Sequence, residues 1–153
     1  MTQDMHDILL VEDDPADAEL TTMALQKQHA AGNIVIARDG AEALDYLFCR
    51  GEFLERDFQH IPRVVLLDLK LPRVSGHDVL KAIKGDERTR CIPVIVMTSS
   101  NHENDLLECY RGGANSYIQK PMSLSLFQES VKQVGSYWLG VNLPPPEAAF
   151  QTR

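Results

Sequence analysis

Short apolar runs that stop abruptly on polar or charged residues recur along the chain. Ile8-Leu9-Leu10-Val11 stops at Glu12-Asp13-Asp14, Ile34-Val35-Ile36-Ala37 leads to Asp39-Gly40, and Val64-Val65-Leu66-Leu67 stops at Asp68. Pro93-Val94-Ile95-Val96-Met97 gives way to Thr98-Ser99-Ser100, and Asn115 to Gln119 leads to Lys120-Pro121. Each run is too short for a typical helix. The runs suit strands, and those without polar alternation suit strands buried on both faces of a parallel sheet.

Helical spacing fills the intervals. Pro15 at a first helical position, with Asp14 as N-cap, predicts a helix to about His29 with Ala16, Leu20, Met23 and Ala24 recurring along it, broken at Gly32-Asn33. A second helix is expected from Ala41 to Phe48, with Ala41, Leu44 and Phe48 on one face. A third covers Gly76 to Lys84 with Val79, Leu80 and Ile83 inward, and a fourth covers His102 to Arg111 and stops at Gly112-Gly113. The fifth begins near Ser123, its apolar stripe being Leu124, Phe127, Val131, Val134 and Trp138. Strand and helix alternate, which predicts an α/β fold with a parallel sheet between two layers of helices. Residues 1–139 form the one domain, and 140–153 are a C-terminal arm or tail that Pro144-Pro145-Pro146 makes extended, from Leu139 onward. The segment Arg50 to Pro62 breaks the rhythm. Its aromatics Phe53 and Phe58 either tuck against the core or face a partner, and packing is the favoured reading.

Bulk composition narrows the function classes. With 153 residues, 44% hydrophobic and 24% charged, the chain can bury an ordinary core. A net charge of −7 argues against nucleic acid and anionic membrane surfaces as partners. The three cysteines, Cys49, Cys91 and Cys109, lack metal-type spacing and read as reduced thiols. Residues 1–7 have neither a basic nor an apolar leader segment, and no run approaches membrane-spanning length, so a cytoplasmic protein is expected.

In a parallel sheet all carboxyl ends lie along one edge, so Glu12, Asp13, Asp68, Thr98 and Lys120 converge there. Taken singly, each has an ordinary role: acids open helices, threonine caps a turn, lysine is solvated. Four complementary strand ends together are hard to assign to chance. Three carboxylates that close cannot all stay ionised without a cation, and hard oxygen donors at an open site suit Mg²⁺. Lys120 adds a point charge for phosphate and Thr98 a hydroxyl. Asp68 then becomes a candidate nucleophile for a phosphoryl group.

The motifs Ile8-Leu9-Leu10-Val11-Glu12-Asp13-Asp14, Leu66-Leu67-Asp68-Leu69-Lys70-Leu71-Pro72, Gly76, Met97-Thr98-Ser99, Gly113-Ala114 and Lys120-Pro121 resemble the receiver domains of two-component response regulators. The resemblance runs from Ile8 to about Trp138. It implies a doubly wound, flavodoxin-like sheet of strand order 2-1-3-4-5, with Asp68 as the phosphoacceptor assisted by Thr98 and Lys120. It further implies Mg²⁺ held by Asp13, Asp68 and the backbone carbonyl of Lys70, with Glu12 acting through water, and Thr98 and Tyr117 as a switch pair. A cis Lys120–Pro121 bond is also implied. Glu12 departs from the family's commoner Asp, giving a longer arm to the metal. The 50–62 segment and the arm resemble a narrower group of stand-alone receivers that partner phytochrome-type histidine kinases. The expected partners are thus a sensor histidine kinase, a downstream phosphotransfer protein, and a second copy through helix 4, strand 5, helix 5 and the arm. Such a protein is a phosphoacceptor that assists its own phosphorylation and dephosphorylation rather than an enzyme acting on other substrates.

Three rivals compete. An aspartate-nucleophile phosphatase of the haloacid dehalogenase type needs a second acid two residues after the nucleophile, where this chain has Lys70. A flavodoxin-like FMN carrier needs a phosphate cradle where Glu12-Asp13-Asp14 would repel phosphate. A receiver-like docking module that takes no phosphate would have no need of the intact acid set.

Overall fold

A computed structural model describes residues 8–27 and 33–151. Five strands form one sheet, β1 (Ile8–Val11), β2 (Ile34–Ala37), β3 (Val64–Leu67), β4 (Val94–Thr98) and β5 (Ser116–Gln119). Every pairing is parallel and the order is β2-β1-β3-β4-β5, as the family resemblance implies. The helices are α1 (Pro15–Gln26), α2 (Gly40–Leu47), α3 (Gly76–Lys84), α4 (Glu103–Arg111) and α5 (Leu124–Ser136).

Side chains alternate across a strand, so each apolar run feeds two cores. Leu9, Val11, Val65, Leu67, Val94 and Val96 face one core with Ala43 and Leu47 of α2, Val79 and Ile83 of α3 and Cys109 of α4. Ile8, Leu10, Leu66, Ile95 and Met97 face the other with Leu25 of α1 and Phe127 and Val131 of α5. This double burial is why the strands carry continuous rather than alternating hydrophobicity.

Helix starts follow local chemistry. Asp14 accepts from the N–H groups of Ala16 and Asp17 at 2.9 and 3.2 Å, with Pro15 at the first helical position. Asp39, Ser75 and Ser123 cap α2, α3 and α5 in the same way. Pro93 has no N–H for the ladder, so β4 starts one residue later than the apolar run, although the Pro93 carbonyl accepts from Val65 at 3.0 Å.

Several expectations are corrected. In α1 the buried residues are Ala18, Thr21, Ala24 and Leu25, whereas Ala16 is exposed and Met23 is 48% exposed. Small residues carry this contact, and their weak hydrophobicity left the phase of the helix ambiguous. The expected end near His29, the break at Gly32 and the leader reading of residues 1–7 fall outside the described residues. In α5, Phe127, Val131 and Val134 are buried, but Leu124, the first residue of the helix, is exposed. Among the described residues no peptide bond is cis, so Lys120–Pro121 is trans, the isomer an X–Pro bond prefers without contacts that demand otherwise.

The tail also differs from a simple extended arm. A wide helical turn, Tyr137–Val141, follows α5 and buries Leu139 in the second core. The extended course begins at Asn142, whose carbonyl accepts from Arg63 Nη2 at 3.3 Å. After the prolines, a 3₁₀ turn at Glu147–Phe150 brings Phe150 against the first core. The 50–62 segment packs inward: Phe53 meets the Tyr46 ring edge-on at 5.2 Å, and the Arg56 guanidinium lies 4.1 Å from the centre of that ring. Arg56 also donates to the carbonyls of Tyr46 and His60 at 2.8 and 2.7 Å, closing the loop on itself. No helix among the described residues is long and apolar enough to cross a membrane.

Candidate functional site

The sheet ladder continues one residue past the strands and fixes the polar ends. Glu12 N–H donates to Ala37, Asp68 N–H to Val11 and Lys120 N–H to Thr98, at 2.9, 3.1 and 2.7 Å. Side chains that are far apart in sequence therefore meet. Carboxylate oxygens of Glu12, Asp13 and Asp68 lie within 4.8 Å of one another. Thr98 is fully buried at the end of β4, and Tyr117 sits two residues before the end of β5.

Lys120 is the hub. Its Nζ donates to Glu12 Oε1 at 2.6 Å, to Asp68 Oδ2 at 3.0 Å and to Asp17 Oδ2 at 3.1 Å. Glu12 Oε2 accepts from Asp14 N–H at 3.1 Å, and Asp68 Oδ1 from Lys70 N–H at 3.3 Å. Burial pushes the Glu12 carboxyl up to about 7, against the pull of Lys120. Burial works to lower the Lys120 ammonium, but the hydrogen bond it donates to Glu12 and the charge of Asp68 win and raise it above the ordinary lysine range.

Four carboxylates around one ammonium leave excess negative charge, and three of them present hard oxygens close together. That donor set fits a divalent cation such as Mg²⁺ or Mn²⁺. Lys70 is adjacent through its N–H bond to Asp68, while its side chain is exposed.

Two features lay outside the sequence reading. Asp17 reaches Lys120 from the first turn of α1, three residues after its cap; the Asp14-Pro15-Ala16-Asp17 spacing was the available signal. The other is a polar chain behind Thr98. Thr98 Oγ1 accepts from Ser100 N–H at 3.4 Å, and Tyr117 OH donates to the Ser100 carbonyl at 2.9 Å. Ser100 Oγ donates to Asp105 Oδ2 at 2.5 Å, and Asp105 Oδ1 lies 3.0 Å from His77 Nε2. The Ser100 hydroxyl first, and His77 second, hold the Asp105 carboxyl below its ordinary range.

His77 Nδ1 also lies 3.8 Å from Cys109 Sγ, which superficially suggests a thiol nucleophile. The environment argues otherwise. Cys109 is fully buried, and that burial pushes its thiol up to about 11. At pH 8 it therefore stays protonated, whereas Cys91 is exposed. Titrating the native protein with a disulfide reagent at pH 8 is expected to label Cys91 promptly and to spare Cys109 until the protein unfolds. Prompt labelling of Cys109 would refute this assignment.

Comparison with known proteins bears on this geometry. Residues 8–132 match the response regulator receiver domain family. The probable methanogenesis regulatory protein FilR2 of Methanothrix harundinacea is 45% identical over 141 residues, spanning 92% of this chain and 88% of that one. The Mn²⁺-bound structure of the response regulator Rcp1, known from Synechocystis, superposes with a TM-score of 0.87 at 34% identity, covering 92% of this chain and 99% of that one. The phosphorylated cyanobacterial phytochrome response regulator RcpA gives 0.86 at 37% identity, with the same coverage.

Proposed function

Because the chain belongs to the response regulator receiver domain family, we propose that it is a phosphorylation-operated switch whose phosphoacceptor is Asp68. The observation that carries this reading is the Lys120 ammonium, held at 3.0 Å from Asp68 and 2.6 Å from Glu12 by the ends of three different strands. A metal-bound relative and a phosphorylated relative of nearly the same backbone support it.

The donor is a phosphohistidine on a sensor histidine kinase. An Asp68 carboxylate oxygen attacks phosphorus, the P–O bond forms as the P–N bond breaks, and the imidazole nitrogen keeps the electron pair. Asp13, Asp68 and the Lys70 carbonyl, with Glu12 through water, would hold Mg²⁺, which when bound offsets the negative charge on the transferring oxygens. Lys120 supplies a second positive charge, and Thr98 Oγ1 a hydroxyl donor. Drawing Thr98 toward the new phosphoryl releases its contact with Ser100 N–H. Because Tyr117 OH is bonded to the Ser100 carbonyl, the ring answers that movement and alters the face formed by α4, β5 and α5.

Output then runs through protein contacts. Similarity to RcpA favours a phytochrome-type kinase as the loading partner, and a phosphotransfer protein can take the group onward. Residues 1–139 act as the receiver and 140–153 as a tail that helps pair two copies through α4, β5 and α5. Leu107, Tyr110, Leu126, Tyr137, Val141 and Leu143 on these elements are exposed apolar groups suited to such a contact. Truncation after Asn142 keeps the buried Leu139 and removes Leu143 and Phe150, and light scattering is expected to show a shift from dimer to monomer. An unchanged particle size would argue against the tail's role.

The direct test of the switch is incubation with acetyl phosphate and Mg²⁺, followed by intact-mass analysis. One acid-stable, base-labile phosphoryl adduct is expected, and excess EDTA should prevent it. An unmodified protein overturns the reading, and sustained turnover of diverse phosphate esters would replace it with a phosphatase.

A further inference from the structure

Lys120 carries a bond that phosphoryl transfer to Asp68 does not require. An ammonium has three N–H donors, and three carboxylates take them: Glu12 at 2.6 Å, Asp68 at 3.0 Å and Asp17 at 3.1 Å. Glu12 and Asp68 are strand-end acids of the phosphoacceptor site. Asp17 instead comes from α1, where its N–H is fixed by Asp14 Oδ1 at 3.2 Å. A phosphoryl oxygen arriving at Asp68 needs a donor from this ammonium, so one carboxylate must let go. The Asp17 side chain is 32% exposed against 4% for Glu12 and 11% for Asp68. Water can therefore replace Lys120 at Asp17 at the lowest desolvation cost. Until it does, Asp17 also sets a negative charge beside an anionic substrate.

We propose that Asp17 is a positioning residue that acts through Lys120 as a brake on phosphorylation of Asp68, competing for the donor that the incoming phosphoryl must claim. This rests on Asp68 being the phosphoacceptor. No bond is made to Asp17. With acetyl phosphate, the new P–O bond forms at Asp68, acetate leaves with its electron pair, and Asp17 exchanges the Lys120 hydrogen bond for water.

The test compares wild type, Asp17→Ala and Asp17→Glu in the full chain with acetyl phosphate and Mg²⁺. Alanine is a strong helix former, so the first turn of α1 survives the substitution. At low donor concentration Asp17→Ala is expected to be phosphorylated on the order of tenfold faster, the worth of a hydrogen bond between charged groups. The gain should lie in KM rather than in the saturated rate, and it should shrink as ionic strength rises. Asp17→Glu, which restores charge and acceptor, should return the rate toward wild type. Independently of phosphorylation, the ¹⁵N–¹H signal of the Lys120 ammonium in metal-free protein should shift in Asp17→Ala and recover in Asp17→Glu. An adduct on wild type together with an unchanged or slower rate in Asp17→Ala overturns the brake alone. A Lys120 signal that does not move removes its structural basis. No adduct on wild type overturns the phosphoacceptor reading and the brake with it.

Discussion

Asp68→Asn is expected to lose the phosphoryl adduct completely while folding as well as wild type. The amide has the carboxylate's shape and its Oδ1 can still accept from Lys70 N–H, so the loop after β3 keeps its course. Lys120, which would then face the amide NH2, gives up its bond to residue 68 and keeps those to Glu12 and Asp17. What disappears is the nucleophile, since a neutral amide oxygen does not form a stable acyl phosphate under these conditions. Stability should not suffer, because neutralising one of three carboxylates packed within 4.8 Å offsets the lost Lys120 bond. Intact-mass analysis should show no phosphoryl adduct, and the melting temperature should equal or exceed that of wild type. An adduct on Asp68→Asn would move the phosphoacceptor elsewhere.

The same variant has a pH signature. Burial is the main reason that Glu12 titrates at about 7 rather than 4.5, and the Asp68 charge adds to the shift. A carboxyl whose pKa rises on folding adds stability below its unfolded value. That contribution is lost as pH climbs through the folded value. Wild type is therefore expected to lose stability between about pH 4.5 and 7 in the absence of divalent cations. Asp68→Asn should show a shallower loss, measured by urea unfolding across that window.

The second large effect is expected at Gly76. A Cβ there would stand 2.2 Å from the Asp68 carbonyl oxygen and 2.5 Å from Leu69 Cα, both backbone atoms that no side-chain rotation can clear. Gly76 N–H also donates to the Leu69 carbonyl at 2.9 Å, tying α3 directly to the segment that carries Asp68. Gly76→Ala must push these apart. It should cost about 3 kcal/mol, at the upper end for overpacking. Phosphorylation should slow as well, since the displaced backbone is that of the nucleophile. Gly140→Ala, where an added Cβ meets nothing within 4 Å, is the matched control and should be near neutral. Urea unfolding of the two variants decides the point, and similar stabilities would refute the close-approach argument.

The site was legible because the parallel sheet turns sequence into geometry. Once Val64 to Leu67 reads as a strand buried on both faces, the position of Asp68 follows, and so do those of Glu12, Thr98 and Lys120. The α3 boundaries and its inward residues followed equally well from a clean apolar stripe, and the structure adds Ser75 as the cap. What stayed hidden depends on contacts that no local pattern encodes. Asp17 and Lys120 are 103 residues apart, and the chain from Ser100 through Asp105 to His77 joins two helices and a loop. Nor could periodicity settle α1, where two alanines and a threonine form the packed face with only Leu25 as a large apolar residue. Leu139 reads as the start of an arm next to a run of prolines, yet its burial in the second core holds the chain helical through Val141.

The tail's return has a consequence for grafting. Phe150 from the far end and Phe53 and Ile61 from the long loop all rest on the same core, the one beneath α2 and α3. Arg63, at the close of that loop, grips the Asn142 carbonyl. The loop and the tail are thus two halves of a single clasp. A chimera that transplants one of them onto another receiver leaves an uncovered apolar patch, whereas moving both together carries the closure with it.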